Sequence, residues 1–278
     1  MKKTLINNIL FWLSKNAAVL RRKDGRFLLA QEKRLGKILY KILRLQMFYC
    51  LEVAKNIPSF RGNSVKKNSL ADDAFLEDSL NKIPNTKKFV ETIIAYAGQS
   101  LVKGGNRSVS EMELARFGIK FSLKNAEAVK YLLDKKTLLL SNRQGNIADT
   151  TKQKIKTIIS DSLNSGESYT EVAKKIMQQG ESGVFSEARA KLISSHEAKE
   201  AYEAGRQMPV ENFKARFPNR QMKKRWITVG DSRVTETHKQ NEDDGWINYE
   251  EEFSGTGDMR PPASDNPNCR CDIAYRLE

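Results

Sequence analysis

The last fifty residues of the chain restrict its fold more than any other segment does. Between Trp226 and Tyr275 lie two of the three tryptophans, one of the two histidines and two of the three cysteines. Short β-prone runs alternate there with turn-forming Gly, Asp and Ser residues, and Asp231 or Ser232 can cap a short helix. This pattern is typical of a small α+β unit. We predict three strands and one short helix, over residues 226–229, 246–249, 271–275 and 234–240 respectively.

Upstream of this segment, hydrophobic residues recur at steps of three and four, which is the spacing of one face of an α-helix. Residues 168–171 (Ser-Tyr-Thr-Glu) form a capping box, and Ser186 is a second N-cap. The clearest apolar face lies in residues 27–56 and consists of Leu35, Ile38, Leu39, Ile42, Leu45, Tyr49 and Val53. We predict helices over residues 4–20, 27–56, 71–80, 87–102, 111–117, 125–133, 138–140, 150–163, 169–180 and 187–207.

Glycine and proline set the predicted helix ends, at Gly25, Pro58, Gly104-Gly105 and Pro209. The predicted fold class is mainly α, as a helical bundle or an extended helical arm, with a small C-terminal α+β domain. The predicted segments are basic N-terminal helices, a linker with a helical excursion, a helical middle region and the α+β domain, over residues 1–67, 68–120, 121–209 and 210–278.

Positive charge is concentrated near the N-terminus. The chain carries 48 Lys and Arg against 34 Asp and Glu, and residues 1–67 hold 16 of the basic residues with three acidic ones. A stripe of four cations follows the second predicted helix: Lys33, Lys37, Lys41 and Arg44. It predicts contact with DNA phosphates or with an acidic protein surface, and a solvated helix face is the alternative. Because the chain has no base-reading motif, we expect any DNA binding to be independent of base sequence.

The C-terminal segment also contains candidate metal ligands. His238, Cys269 and Cys271 are soft ligands, and Asp231 can supply a fourth, which is a set that Zn²⁺ binds in tetrahedral geometry. The C-x-C spacing differs from the C-x₂-C pair of common zinc modules. In the alternative interpretation, the two cysteines lie on opposite faces of the last strand or in a turn, and His238 is a hydrogen-bonded helix residue. Zinc is therefore a possible cofactor, and none is certain.

Catalytic interpretations are weaker. Cys269 or Cys271 could act as a nucleophile with His238 as base, but the sequence has no recognisable third group to orient the histidine and no oxyanion loop. The acidic run from Asp243 to Glu252 reads better as a solvated loop than as a Mg²⁺ site. No phosphate-binding G-x-x-x-x-G-K-[ST] motif is present. We therefore expect that the protein is not an enzyme.

Three features bear on cellular location. No apolar run approaches the roughly 20 residues of a membrane span. The apolar start of the chain is interrupted by Asn7, Asn8 and Lys15, so it predicts an amphipathic helix rather than a signal peptide. Three cysteines do not form a disulfide framework, which favours synthesis in a reducing cytoplasm.

The order of motifs in the last 160 residues resembles the MuF-like head morphogenesis proteins of tailed double-stranded DNA phages. The matching positions at the C-terminus are Trp226, Asp231, Arg233, His238, Phe253, Pro261, Pro262, Cys269, Arg270 and Cys271. In the middle region, residues 164–176 and the helix from Glu187 to Gly205 follow the same family. That helix departs from the family pattern at Ser195-His196-Glu197, where Arg-Thr-Glu is usual.

The resemblance implies a minor head protein, present in few copies inside the capsid near the portal and made in the bacterial host cytoplasm. Its implied partners are the portal protein, other head proteins and double-stranded DNA, and its implied roles are head assembly, DNA packaging or DNA ejection. The α+β unit, centred on Trp226, Trp246 and Phe253, is then a docking module. Some members carry toxin domains beyond this segment; here seven residues follow Cys271, and we expect no such domain. The alternative function is a zinc- or Cys-dependent enzyme that acts on phage DNA or a host protein.

Overall fold

The computed structural model describes residues 2–60, 70–140, 147–266 and 269–278, with side chains from Asp24 onward except that of Ala148. Most of these residues are helical, and a three-stranded antiparallel sheet lies near the C-terminus, which confirms the predicted fold class. The helices are α1 (Lys2–Asn56), α2 (Leu70–Asn81), α3 (Thr86–Glu111), α4 (Ala126–Leu140), α5 (Ile147–Asn164), α6 (Tyr169–Glu181), α7 (Glu187–Arg216) and α8 (Glu236–Asp243); the strands are β1 (Met222–Ile227), β2 (Ile247–Asn248) and β3 (Asp272–Leu277).

The helix α7 is the centre of a helical bundle, because it packs along both α3 and α1. The largest hydrophobic core combines α1 with α2, α3, α5 and α6. Most of the apolar face predicted for α1 is buried in it, with Leu35 and Leu39 fully inaccessible. Leu45 is an exception at 54 % exposure, so the buried stripe is narrower than the sequence indicated. None of the helices in the described part of the chain is long and apolar enough to cross a membrane.

Three predicted helix ends are wrong, because the helices continue through them. The helix α1 continues across Gly25, α3 continues across Gly104-Gly105, and α7 continues across Pro209. A Cβ atom on Gly104 would lie closer than 3.0 Å to the carbonyl oxygen of Tyr202 in α7. That glycine allows two helices to approach each other closely and does not end one. The α7 helix therefore also crosses the predicted domain boundary between residues 209 and 210.

The caps predicted for α6 and α7 are confirmed. Ser168 and Glu171 form the predicted capping box at the start of α6, and Ser186 accepts a hydrogen bond from the Arg189 amide at the start of α7. The two helical pieces predicted around residues 125–140 form the single helix α4. The segment predicted over residues 111–117 is only a 3₁₀ turn, Leu114–Phe117. Residues 61–69, where the predicted basic N-terminal helices meet the predicted linker, lie outside the described residues.

The sheet has the order β2-β1-β3, and β1 pairs antiparallel with both neighbours. Trp226 in β1 lies opposite Ile273 in β3. All three strands form within a few residues of their predicted positions. The short helix begins at Glu236 after the N-cap Thr235, rather than after Asp231 or Ser232, because those two residues form a turn.

The sheet is joined to the bundle by an apolar cluster and by buried charges. Phe213 near the end of α7 packs with Met222 of β1 and with Tyr249, which follows β2. Arg206 of α7, only 1 % exposed, pairs with Asp272 at the start of β3 and with Glu111 at the end of α3. The α+β unit is thus fixed to the helices by side chains of α7.

Candidate metal centre

The three candidate soft ligands lie together in the α+β unit. His238 is on the buried face of α8, and Cys269 and Cys271 flank Arg270 just before β3. Both cysteines are buried while Arg270 between them is exposed, so the pair does not lie on opposite faces of the last strand. Both residues precede β3, and the Cys269 amide donates a turn-type hydrogen bond to the Asn266 carbonyl.

The ligand atoms of these residues are close enough to share one ion. His238 Nδ1 is 3.4 Å from Cys271 Sγ and 4.0 Å from Cys269 Sγ. All three ligand atoms lie within 4.8 Å of one another. The three side chains are almost inaccessible, with exposures of 2 % for His238, 6 % for Cys269 and 2 % for Cys271.

An aspartate fixes the other side of the histidine ring. Asp265 Oδ1 lies 3.0 Å from His238 Nε2, and Asp265 Oδ2 accepts a hydrogen bond of 2.9 Å from the Thr237 hydroxyl. Burial raises the pKa of Asp265, but these two hydrogen bonds more than offset burial, so the pKa lies below its ordinary value. With Nε2 bonded to a carboxylate, Nδ1 presents its lone pair toward the sulfur atoms. Asp265 was not predicted from the sequence, because a loop aspartate carries no signal of periodicity or spacing.

The two thiols favour a state in which one of them has lost its proton. A hydrogen bond from Cys271 stabilises the Cys269 thiolate and lowers the pKa of Cys269 to about 6. The same hydrogen bond and burial raise the pKa of Cys271, because losing a second proton would place two negative charges side by side. A thiolate beside an imidazole is a ligand set for a soft cation.

Asp231, the predicted fourth ligand, is not part of this group among the described residues. Its carboxylate accepts two hydrogen bonds from the Arg270 guanidinium, at 2.8 and 2.9 Å. The bond to Arg270 holds the pKa of Asp231 well below its ordinary value. Asp231 therefore braces the exposed side of the segment whose two cysteines face inward.

An aromatic core supports the histidine. The Trp226 ring lies 5.7 Å from the His238 ring and 5.1 Å from the Phe253 ring, centroid to centroid. Trp226 and Phe253 are fully buried, as expected for the centre of the unit. Trp246 is not part of that core, because its half-buried ring packs against the Arg276 guanidinium at 4.6 Å.

The order Cys271, His238, Asp265 also matches the arrangement of a nucleophile, a base and an orienting acid. No residue that could orient the histidine was recognisable in the sequence, and Asp265 occupies that position. Nucleophilic catalysis requires a thiol that a substrate can reach, however, and both sulfur atoms are buried. The arrangement therefore suits a bound ion better than covalent catalysis.

The cationic stripe of α1 lies away from this unit. Lys33, Lys37 and Lys41 are exposed, and Arg44 is half-buried with its guanidinium 5.5 Å from the Phe48 ring centroid. Within the described side chains, none of these four cations forms an ion pair with a carboxylate. The contact of this stripe with an anionic partner stays a prediction.

One family of known proteins matches the chain. Residues 153–274 match the family described as Phage Mu protein F like protein. These residues are similar to that family, and they make up less than half of the chain. The matched range takes in most of α5, all of α6 and α7, and the α+β unit with His238, Cys269 and Cys271. The match agrees with the family resemblance found in the sequence. Neither a curated protein nor a solved structure matches the chain.

Proposed function

We propose that this chain is a minor head protein of a tailed double-stranded DNA phage, located inside the capsid near the portal. It acts there in head assembly, DNA packaging or DNA ejection, as a structural component and not as an enzyme. The observation that carries the proposal is the family match over residues 153–274, which covers the α+β unit and the helix that holds it. Synthesis in the host cytoplasm belongs to the same proposal.

The architecture supports two separate contact regions. The α+β unit is fixed to α7 by the Arg206–Asp272 ion pair and by the packing of Phe213. A partner bound to this unit would therefore be held in a fixed position relative to the bundle. The cationic stripe of α1 is on a different part of the molecule. We assign the α+β unit to contact with the portal or another head protein, and the stripe to DNA phosphates.

The location is tested on heads purified from the phage or prophage that encodes the chain. We expect mass spectrometry to find the chain in few copies per head, and cross-linking to join its residues 222–277 to the portal protein. Empty heads lacking DNA should also contain it, because docking to the portal precedes packaging. Absence of the chain from purified heads would overturn the proposal.

The DNA contact is tested with the full chain and a random-sequence duplex. We expect the logarithm of the binding constant to fall steeply and linearly with the logarithm of salt concentration. Replacing Lys33, Lys37, Lys41 and Arg44 by glutamine should flatten that slope by up to about 3 to 4, since each phosphate contact contributes about 0.9.

A matched control removes four charges elsewhere. Lys120, Lys124, Arg216 and Arg220 are exposed on other parts of the surface. Replacing these four by glutamine changes the net charge equally and should alter the slope much less. Equal effects of the two variants would mean that the α1 stripe is not a specific DNA contact, and an acidic protein surface would then be the better partner.

A further inference from the structure

We propose that His238 Nδ1, Cys269 Sγ and Cys271 Sγ bind one Zn²⁺ ion, with a water molecule as the fourth ligand. The site holds the α+β unit together. This inference does not rest on the proposed role in the phage head, and it would stand if the protein acted elsewhere.

The distances fit a tetrahedral zinc centre. Zn–S bonds of about 2.3 Å and Zn–N bonds of about 2.0–2.1 Å, at tetrahedral angles, place S and N about 3.6 Å apart and the two S atoms about 3.8 Å apart. The two S–N distances, 3.4 Å to Cys271 and 4.0 Å to Cys269, lie on either side of that value. Shifts of a few tenths of an ångström would bring both S–N distances to that value.

The surroundings are also those of a metal ligand set. A zinc-bound histidine normally directs its second nitrogen to a carboxylate, which fixes the ring and makes the ligand more basic. Asp265 occupies that position, and Thr237 in turn holds the second oxygen of Asp265. Two sulfurs and one imidazole favour zinc over Mg²⁺ or Ca²⁺, which prefer oxygen.

The part of the α+β unit around the three ligands has only a small apolar core apart from the one it shares with α7. Its strands contain six, two and six residues, and its own core holds six buried residues. Small units with so little apolar burial commonly depend on a metal or on disulfides. An ion at this position would tie α8 to the start of β3 across about thirty residues of chain. Metal binding would then be part of the folding free energy of the unit.

The first test uses the full chain purified without chelators. We expect about one zinc per chain by elemental analysis. X-ray absorption should report two sulfur and two nitrogen or oxygen neighbours. Chain stripped of metal and reloaded with Co²⁺ should show thiolate-to-cobalt charge-transfer absorption. No zinc above background together with no uptake of Co²⁺ would overturn the proposal, and so would oxygen-only coordination.

The second test uses variants matched by residue type. Cys269→Ser, Cys271→Ser and His238→Gln should each lose the stoichiometric metal. The remaining cysteine and histidine of the chain, Cys50 and His196, supply the controls Cys50→Ala and His196→Gln, which should keep it. Metal that persists in all three ligand variants, or that disappears in the controls, would contradict the assignment.

A further variant, Asp265→Asn, tests the site even if the ligand variants do not fold. Asp265→Asn leaves every ligand atom in place and removes only the carboxylate behind the histidine. We expect zinc affinity, measured by competition with a chromophoric chelator, to fall by about 10- to 100-fold. Unchanged affinity in folded Asp265→Asn would show that this carboxylate does not support the ion and would count against the site.

Discussion

Arg206 carries a charge into the interior, where carboxylates from three elements surround it. Its guanidinium pairs with Glu111 at 2.7 Å and with Asp272, and Glu203 lies 3.8 Å away. Burial alone would lower the pKa of Arg206, but the surrounding carboxylates raise it well above its ordinary value. The Arg206 guanidinium therefore stays protonated, and it neutralises the carboxylates around it.

Replacing Arg206 by methionine should destabilise the protein strongly. The change leaves buried carboxylates without their cation, which costs about 3–5 kcal/mol when one partner of a buried pair is removed. Urea denaturation gives the free energy of unfolding. The control Arg220→Met, at an exposed position, should change that free energy by less than about 1 kcal/mol. A loss in Arg206→Met no larger than in the control would show that the network does not stabilise the fold.

Glu200 should make stability dependent on pH. Burial raises the pKa of Glu200, but the positive charges of Lys135 and Arg260 lower it by more. Its pKa is therefore about 2, against an ordinary value of 4.5. A depressed folded pKa stabilises the protein above pH 4.5, and this contribution is lost as pH falls toward 2. The shift corresponds to about 3 kcal/mol.

The variant Glu200→Gln isolates this contribution from that of other carboxylates. The difference in unfolding free energy between wild type and variant should be largest at pH 6–7 and should shrink as pH decreases from about 5 to 2. Glu127→Gln, at an exposed position of α4, is the control and should show a difference near zero throughout. A Glu200→Gln difference that is constant with pH would rule out the depressed pKa.

At this scale, the sequence indicated the three candidate ligands but not their surroundings. His238, Cys269 and Cys271 are uncommon residues, so composition alone indicated them, and the structure brings them together. Asp231 lies within the same motif, yet the adjacent Arg270 binds its carboxylate. Asp265 faces the histidine because of how the loop before β3 folds, and no local rule predicts that loop.

At the scale of elements, glycines in α1 and α7 have opposite roles. A Cβ on Gly205 would lie closer than 3.0 Å to the backbone of Leu101 in α3, whereas a Cβ on Gly25 would have no atom within 4 Å. Both positions are helical. The two positions therefore differ in whether another helix lies close enough to exclude a side chain.

Alanine at these two positions should shift stability in opposite directions. Gly205→Ala should destabilise by about 1–3 kcal/mol or more, because the helices must separate. Gly25→Ala should stabilise by up to about 1 kcal/mol through helix propensity. Thermal denaturation followed by circular dichroism measures both. Stabilisation by Gly205→Ala would disprove the close contact between α3 and α7.

These glycines also explain which helix boundaries could be predicted. Caps such as Ser168 and Ser186 depend on residues within one turn, so the sequence contains all the information needed. Gly104 and Pro209 are equally strong local signals for an end, but α3 and α7 pack closely against each other at Gly104 and Gly205 and continue past them. Local rules could not anticipate that contact.

At the scale of the whole molecule, the bundle and the α+β unit should unfold together. Phe213 and Phe217 of the α7 end pack with Met222 and Tyr249, so the two parts share one core. We expect tryptophan fluorescence, which reports on buried Trp226, and helical circular dichroism to give coincident denaturation midpoints for the zinc-loaded chain. Two separate transitions would instead support an independent domain over residues 210–278.

Because α7 is one continuous helix, its length determines the direction in which the sheet faces relative to the helical bundle. Each residue of a helix advances the chain by about 1.5 Å and turns it by about 100°. Deleting one residue between Gly205, which touches α3, and Phe213, which touches the sheet, would swing the sheet to another side of the bundle. An assembly that binds both the bundle and the sheet must therefore fit one fixed angle between them. Insertions and deletions are then better tolerated in the surface loops than in α7.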